Sequence, residues 1–115
     1  MDVSQIAAMF EHLNIAMVAS NADSKVIYQN KKCKELFEQV FGKADYTGCD
    51  LTECHPTEAT RKVKAYFTEY RNKARQLDYY TVDEPTGKVT VVNVPFYDGA
   101  TFKGVVEFIF ESALD

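Results

Sequence analysis

The chain has 115 residues, 46% hydrophobic and 26% charged, the size and balance of one globular domain (residues 1–115) around one core, with no room for a second catalytic domain. Seventeen acidic residues against thirteen basic ones give a net charge of −4, which disfavours nucleic acid as a partner. No apolar run approaches the roughly 18 residues of a membrane span. The three cysteines are odd in number, and no charged-then-apolar leader follows Met1; both features point to free thiols in a reducing, cytoplasmic compartment.

In chain order, Ile6, Met9, Phe10 and Leu13 recur at helical spacing, which predicts an amphipathic N-terminal helix within residues 1–13, capped by Ser4. The apolar runs Ile15 to Ala19 and Val26 to Tyr28 flank a turn-rich Asn21 to Ser24, the pattern of a β-hairpin. After Asn30 the period becomes helical, with Cys33, Leu36, Phe37, Val40 and Phe41 on one stripe and Gly42 as the stop. A loop then leads through Cys49 to Asp50 and Glu53, spaced to begin a single helical turn.

Pro56 suits a first helical position and makes His55 the N-cap of the longest helix, Thr57 to Ala74. Its stripe is Val63, Tyr66, Phe67, Tyr70 and Ala74. Three blocks of β-formers close the chain: Leu77 to Val82, Lys88 to Val94 and Phe102 to Phe110. Turn signals at Pro85 to Gly87 and at Asp98-Gly99 join them into a meander. The sum is an α+β domain: a five-stranded antiparallel sheet, helices over one face, and an extra N-terminal amphipathic helix.

The stretch Asn21 to Asn30, the helix that follows at once, and the closing Phe102 to Phe110 together resemble a PAS domain over nearly all of the chain, with residues 14–111 as its core. Gly48 to Pro56, followed by a basic helix, is similar to a PAS subgroup with a His-Pro step. The resemblance implies an input module of signal transduction rather than an enzyme. Such a module binds a small molecule between sheet and helices, or dimerises, and passes a shift in packing to an effector domain or partner protein.

Several residues bear on what is bound. A helix N-terminus disfavours the imidazolium, so His55 reads either as a plain helix cap or as a neutral ligand to haem iron; some PAS domains are haem sensors with a histidine from the helical cover. Cys54 lies where a helix dipole lowers a thiol pKa, and reads as a reactive or as an inert thiol. Its spacing from Cys49 is not that of a zinc site. Cys33 does not match the sequence that surrounds a flavin-photosensor cysteine.

Tyr66 and Tyr70 offer hydroxyls to a pocket or form a core rim. Asn93, polar within an apolar strand, orients a ligand if it faces the helices. Arg61, Lys62, Lys64, Arg71, Lys73 and Arg75 form a basic helix surface that either attracts an anion or is simply solvated. Ile6, Met9 and Phe10 are expected to cover the bare sheet face of their own chain or of a second copy in a homodimer. No nucleophile elbow, His-Glu-x-x-His or phosphate loop is present; an enzyme would have to use Asp78 or Asp83 as a base beside a tyrosine acid.

Overall fold

A computed structural model describes residues 2–51, 65–84 and 87–111. Helix α1 spans Val3–Glu11, β1 Ala16–Asn21, β2 Val26–Gln29 and α2 Lys31–Phe41, and the meander is β3 Asp78–Glu84, β4 Gly87–Asp98 and β5 Thr101–Phe110. Residues 65–71 are helical. The strands form one antiparallel sheet in the order β2-β1-β5-β4-β3. His55 and Cys54 lie outside the described residues, as do Val63, Arg61, Lys62, Lys64 and the start of the long helix.

Cross-strand partners share a face of a sheet. The register couples Tyr80 with Val91, Val91 with Ile109 and Ile109 with Ala16, which defines an inner face. Onto it pack Cys33, Leu36 and Phe37 of α2, together with Phe67 and Tyr70 of the 65–71 helix, to make the core. The expected one-sided helical cover is therefore present.

Asn30 is fully buried and fastens four chain segments. Its Oδ1 accepts from the backbone of Cys33 (3.0 Å), which caps α2, and from Met17 (3.0 Å) in β1; its Nδ2 donates to the carbonyls of Phe10 (3.0 Å) and Ile15 (2.8 Å). Gly42 ends α2 at φ 76, as its position predicts.

Several boundaries differ from expectation. The N-cap of α1 is Asp2, not Ser4: Asp2 Oδ1 accepts from the Gln5 N–H (2.9 Å) and Gln5 Oε1 accepts from the Asp2 N–H (2.8 Å), a reciprocal box that Ser4 has no partner to build. β4 continues to Asp98 through Pro95. There the sheet is one strand narrower, because β3 pairing stops at Asn93, so the missing N–H of proline costs no ladder bond on that side. The tight loop is Gly99-Ala100, with Asp98 paired to Thr101, and Gly99 supplies its positive φ of 60°. The long helix ends near residue 71 instead of Ala74, and Lys73 turns into the left-handed region at φ 56.

Gly104 is the one glycine that close packing demands. A side chain there would run into the Ser20 carbonyl and come within 2.9 Å of the Phe96 ring, at a φ of 155°.

Candidate functional site

Tyr66, Phe67 and Tyr70 stand three and four residues apart on the 65–71 helix and so project toward one side. Phe67 and Tyr70 are buried and Tyr66 is half-buried. Opposite them stand Phe102 and Val105 of β5 and Asn93 of β4. Phe67 meets the Phe102 ring edge-on at 5.6 Å, Tyr70 stacks on it at 6.3 Å, and Tyr97 closes a third side at 5.9 Å. Tyr66 lies 6.5 Å from Tyr70.

Between these elements is a small cavity lined by Leu51, Tyr66, Phe67, Tyr70, Asn93 and Val105. The sequence-predicted residues Tyr66, Tyr70 and Asn93 thus converge on one space, and Asn93 does face the helices. The volume open to the centre of a water-sized sphere is about 10 Å³, room for about one water. A larger depression of about 330 Å³ beside Lys73, Pro95 and Tyr97 is an open surface groove.

Behind the cavity sits Asp78, buried at the start of β3 and paired in register with Asn93. Tyr70 Oη donates to Asp78 Oδ1, and Asn93 Nδ2 donates to Asp78 Oδ2 at 3.2 Å. The carboxyl therefore ties the helix to two strands. Burial holds its pKa above the ordinary value of 3.8; the Asn93 hydrogen bond pulls it back, and the charge of Glu69 pushes it further up. Tyr97 Oη adds a bond to the Tyr70 carbonyl at 2.8 Å.

The next residue in that cross-strand row is Glu107, paired with Asn93 and also buried. Sequence reasoning passed over it. Its signal was an acid inside the apolar strand Val105 to Phe110, the same signal that singled out Asn93.

The described cations of the basic surface are engaged with rings instead of being simply solvated. Arg71 lies over Phe102 at 5.5 Å, Lys73 over Tyr97 at 5.2 Å and Arg75 over Tyr66 at 4.4 Å. Arg71 also donates to the Ala22 carbonyl (2.5 Å), and Arg75 pairs with Glu69 (2.7 Å). They collar the aromatic cluster, and none of them lines the cavity.

The space enclosed by the described side chains holds about one water, and His55, the candidate haem ligand, lies outside the described residues. Among the described residues there is no group of His, Cys, Asp and Glu able to hold a metal ion. Cys33 is buried, with its Sγ accepting from Gln29 Nε2 at 3.5 Å, and Cys49 is half-buried; neither is in a disulfide among the described residues. Asp83, the other candidate base, is exposed and paired with Lys88 at 2.9 Å. Ile6, Met9 and Phe10 are all exposed, and no residue of α1 is buried. Among the described residues, no helix is long and apolar enough to cross a membrane.

No family model matches the chain, and no curated protein does. Solved structures do. A C-terminal domain from Streptococcus mutans is 24% identical at a TM-score of 0.75, over 96% of this chain and 85% of that one. The PAS domain of a protein from Colwellia psychrerythraea superposes with a TM-score of 0.71 at 16% identity, over 96% of both chains. The chain has the PAS fold. A sensory box sensor histidine kinase from Vibrio cholerae shares it at a TM-score of 0.65 and 11% identity, over 97% of this chain and 92% of that one. Within this PAS fold the Tyr66, Tyr70 and Asn93 cavity lies between helical cover and sheet, and Asp78 joins the two layers behind it.

Proposed function

We propose that this domain is a sensory input module of signal transduction, a binding unit and not an enzyme, which takes a small molecule at the aromatic cavity. The observation that carries this reading is the Tyr70–Asp78–Asn93 connection. A ligand that enters between Tyr66 and Asn93 displaces the ring of Tyr70, and the Asp78 hydrogen bond passes that displacement to the edge strand β3. Its partners on this reading are the ligand, a second copy, and an effector domain or partner protein. The resemblance to a sensor histidine kinase domain supports the same role.

Occupancy has to open the cavity, because the closed space holds about one water. Thermal-shift measurements across a metabolite panel test this, since a ligand that binds only the folded state raises the midpoint by mass action. A hit that loses its effect in Tyr70→Ala, in a variant still folded by circular dichroism, supports the cavity. A hit that is indifferent to Tyr70 and Asn93 places binding elsewhere.

A second copy is the occupant proposed for α1. Val3, Ile6, Met9 and Phe10 are 83%, 39%, 44% and 37% exposed, an apolar stripe on a helix with no buried residue. Tyr79 and Phe96, which project from the sheet face opposite the core, are exposed as well, and two such surfaces in one small domain suit a homodimer.

A further inference from the structure

We infer that the cavity admits its ligand amine-first: the group that meets Asn93 is a protonated amine or equivalent N–H donor, not a carboxylate. The inference rests on the reading of this cavity as the ligand site and adds the chemistry of what enters it. Tyr70 Oη donates to Asp78 Oδ1, and Asn93 Nδ2 donates to Asp78 Oδ2 at 3.2 Å, so the Asn93 amide has its nitrogen end toward Asp78. The other end of the amide, Oδ1, is a carbonyl acceptor with no partner among the described residues, on a residue only 7% exposed that lines the cavity. A buried acceptor left unmet costs free energy, and a donor from the ligand removes that cost.

The surroundings select further. The described lining of the cavity contains no cation, and its walls are Leu51, Val105 and the rings of Tyr66, Phe67 and Tyr70. Ring faces attract cations, and the Asp78 carboxyl lies one hydrogen bond behind Asn93. A carboxylate in the same place would set its oxygens against the Asn93 carbonyl oxygen, acceptor against acceptor. The one-water space matches the size of an ammonium head, and half-buried Tyr66 is the side chain whose rotation makes room for the body of the ligand.

Butylamine, butyrate and butanol share one chain and differ in the head group. Each is titrated into the ¹⁵N-labelled protein while the Asn93 side-chain amide and the backbone of residues 66–70 are followed by NMR. The amine is expected to shift these signals in a saturable way, with butyrate and butanol at least about tenfold weaker. Asn93→Leu, which keeps the volume and removes the acceptor, abolishes the response. Asp78→Asn, near-isosteric and neutral, weakens it by about tenfold or more. If butyrate or butanol shifts the same signals as strongly, or the amine binds Asn93→Leu unchanged, the amine-first inference is overturned while the cavity stands as a binding site. If none of the three moves these signals, both the inference and the cavity reading fall.

Discussion

The hydroxyl of Tyr70 donates to the carboxyl of Asp78, and this bond joins the helical cover to the edge strand of the sheet inside the core. Both partners are buried, Tyr70 at 1% and Asp78 at 6% exposure. Tyr70→Phe leaves a buried carboxylate oxygen unmet and is expected to destabilise the fold by about 1–3 kcal/mol in urea unfolding. In an Asp78→Ala background the same substitution is expected to cost far less, because the acceptor is already gone. An equal cost in both backgrounds would mean that the hydroxyl and the carboxyl are not coupled.

Asp78 also sets a pH signature. Its folded pKa lies above the ordinary 3.8 because burial disfavours the charge. Below 3.8 the carboxyl is protonated in both folded and unfolded chains and carries no penalty. As pH rises from there through the raised folded value, the unfolded chain loses its proton first and is favoured. The difference in unfolding free energy, wild type minus Asp78→Asn, is therefore expected to fall over that window and to level off above it. Urea titrations from about pH 3 to about pH 7 measure it, and a difference that climbs with pH would reverse the assigned direction.

Asn30 concentrates more hydrogen bonds in one side chain. Asn30→Ala removes the cap of α2, worth about 0.5–2 kcal/mol, and also strips partners from the Met17 N–H and the Phe10 and Ile15 carbonyls. A total loss of about 2–4 kcal/mol is expected, at the severe end for a single substitution. Because two of those bonds hold the chain that leads out of α1, amide exchange over Val3–Glu11 should accelerate more than exchange in α2. Uniform acceleration would show that Asn30 acts only through global stability.

Most of the fold was legible because its periods are clean: the three- and four-residue spacing from Cys33 to Phe41 and the β-former blocks after residue 77 each point to one element. The errors have local causes. Ser4 and Asp2 are both good caps, and the choice is made by where Gln5 sits relative to each. Pro95 reads as a strand end unless one knows that β3 has already stopped beside it. In the site, Tyr66 and Tyr70 follow from helical spacing and Asn93 from its apolar neighbours. The role of Asp78 does not, because its meeting with Asn93 depends on the β3–β4 register, and its meeting with Tyr70 depends on how the helix crosses the sheet. Glu107 was visible by the same rule as Asn93 and was passed over in a strand read only for its apolar residues.

The apolar stripe of α1 makes the last prediction. Helix α1 is held at its end by the Asn30 bond to Phe10 and by Tyr28 Oη, which donates to Glu11 at 2.7 Å. Burial, aided by Glu11, pushes the Tyr28 pKa up from 10.0 to about 12, so the phenol stays a donor at every physiological pH. The helix is thus tied at one end while Ile6, Met9 and Phe10 remain open to solvent. The double substitution Ile6→Glu and Phe10→Glu adds charge to that stripe without removing a buried side chain, so it should leave the monomer fold within about 0.5 kcal/mol of wild type. In sedimentation velocity the wild type is expected to run as a dimer and the double variant as a monomer with unchanged circular dichroism. A dimer that survives both charges would move the interface to the sheet face that carries Tyr79 and Phe96, and a wild type monomeric at high concentration would remove the second copy altogether.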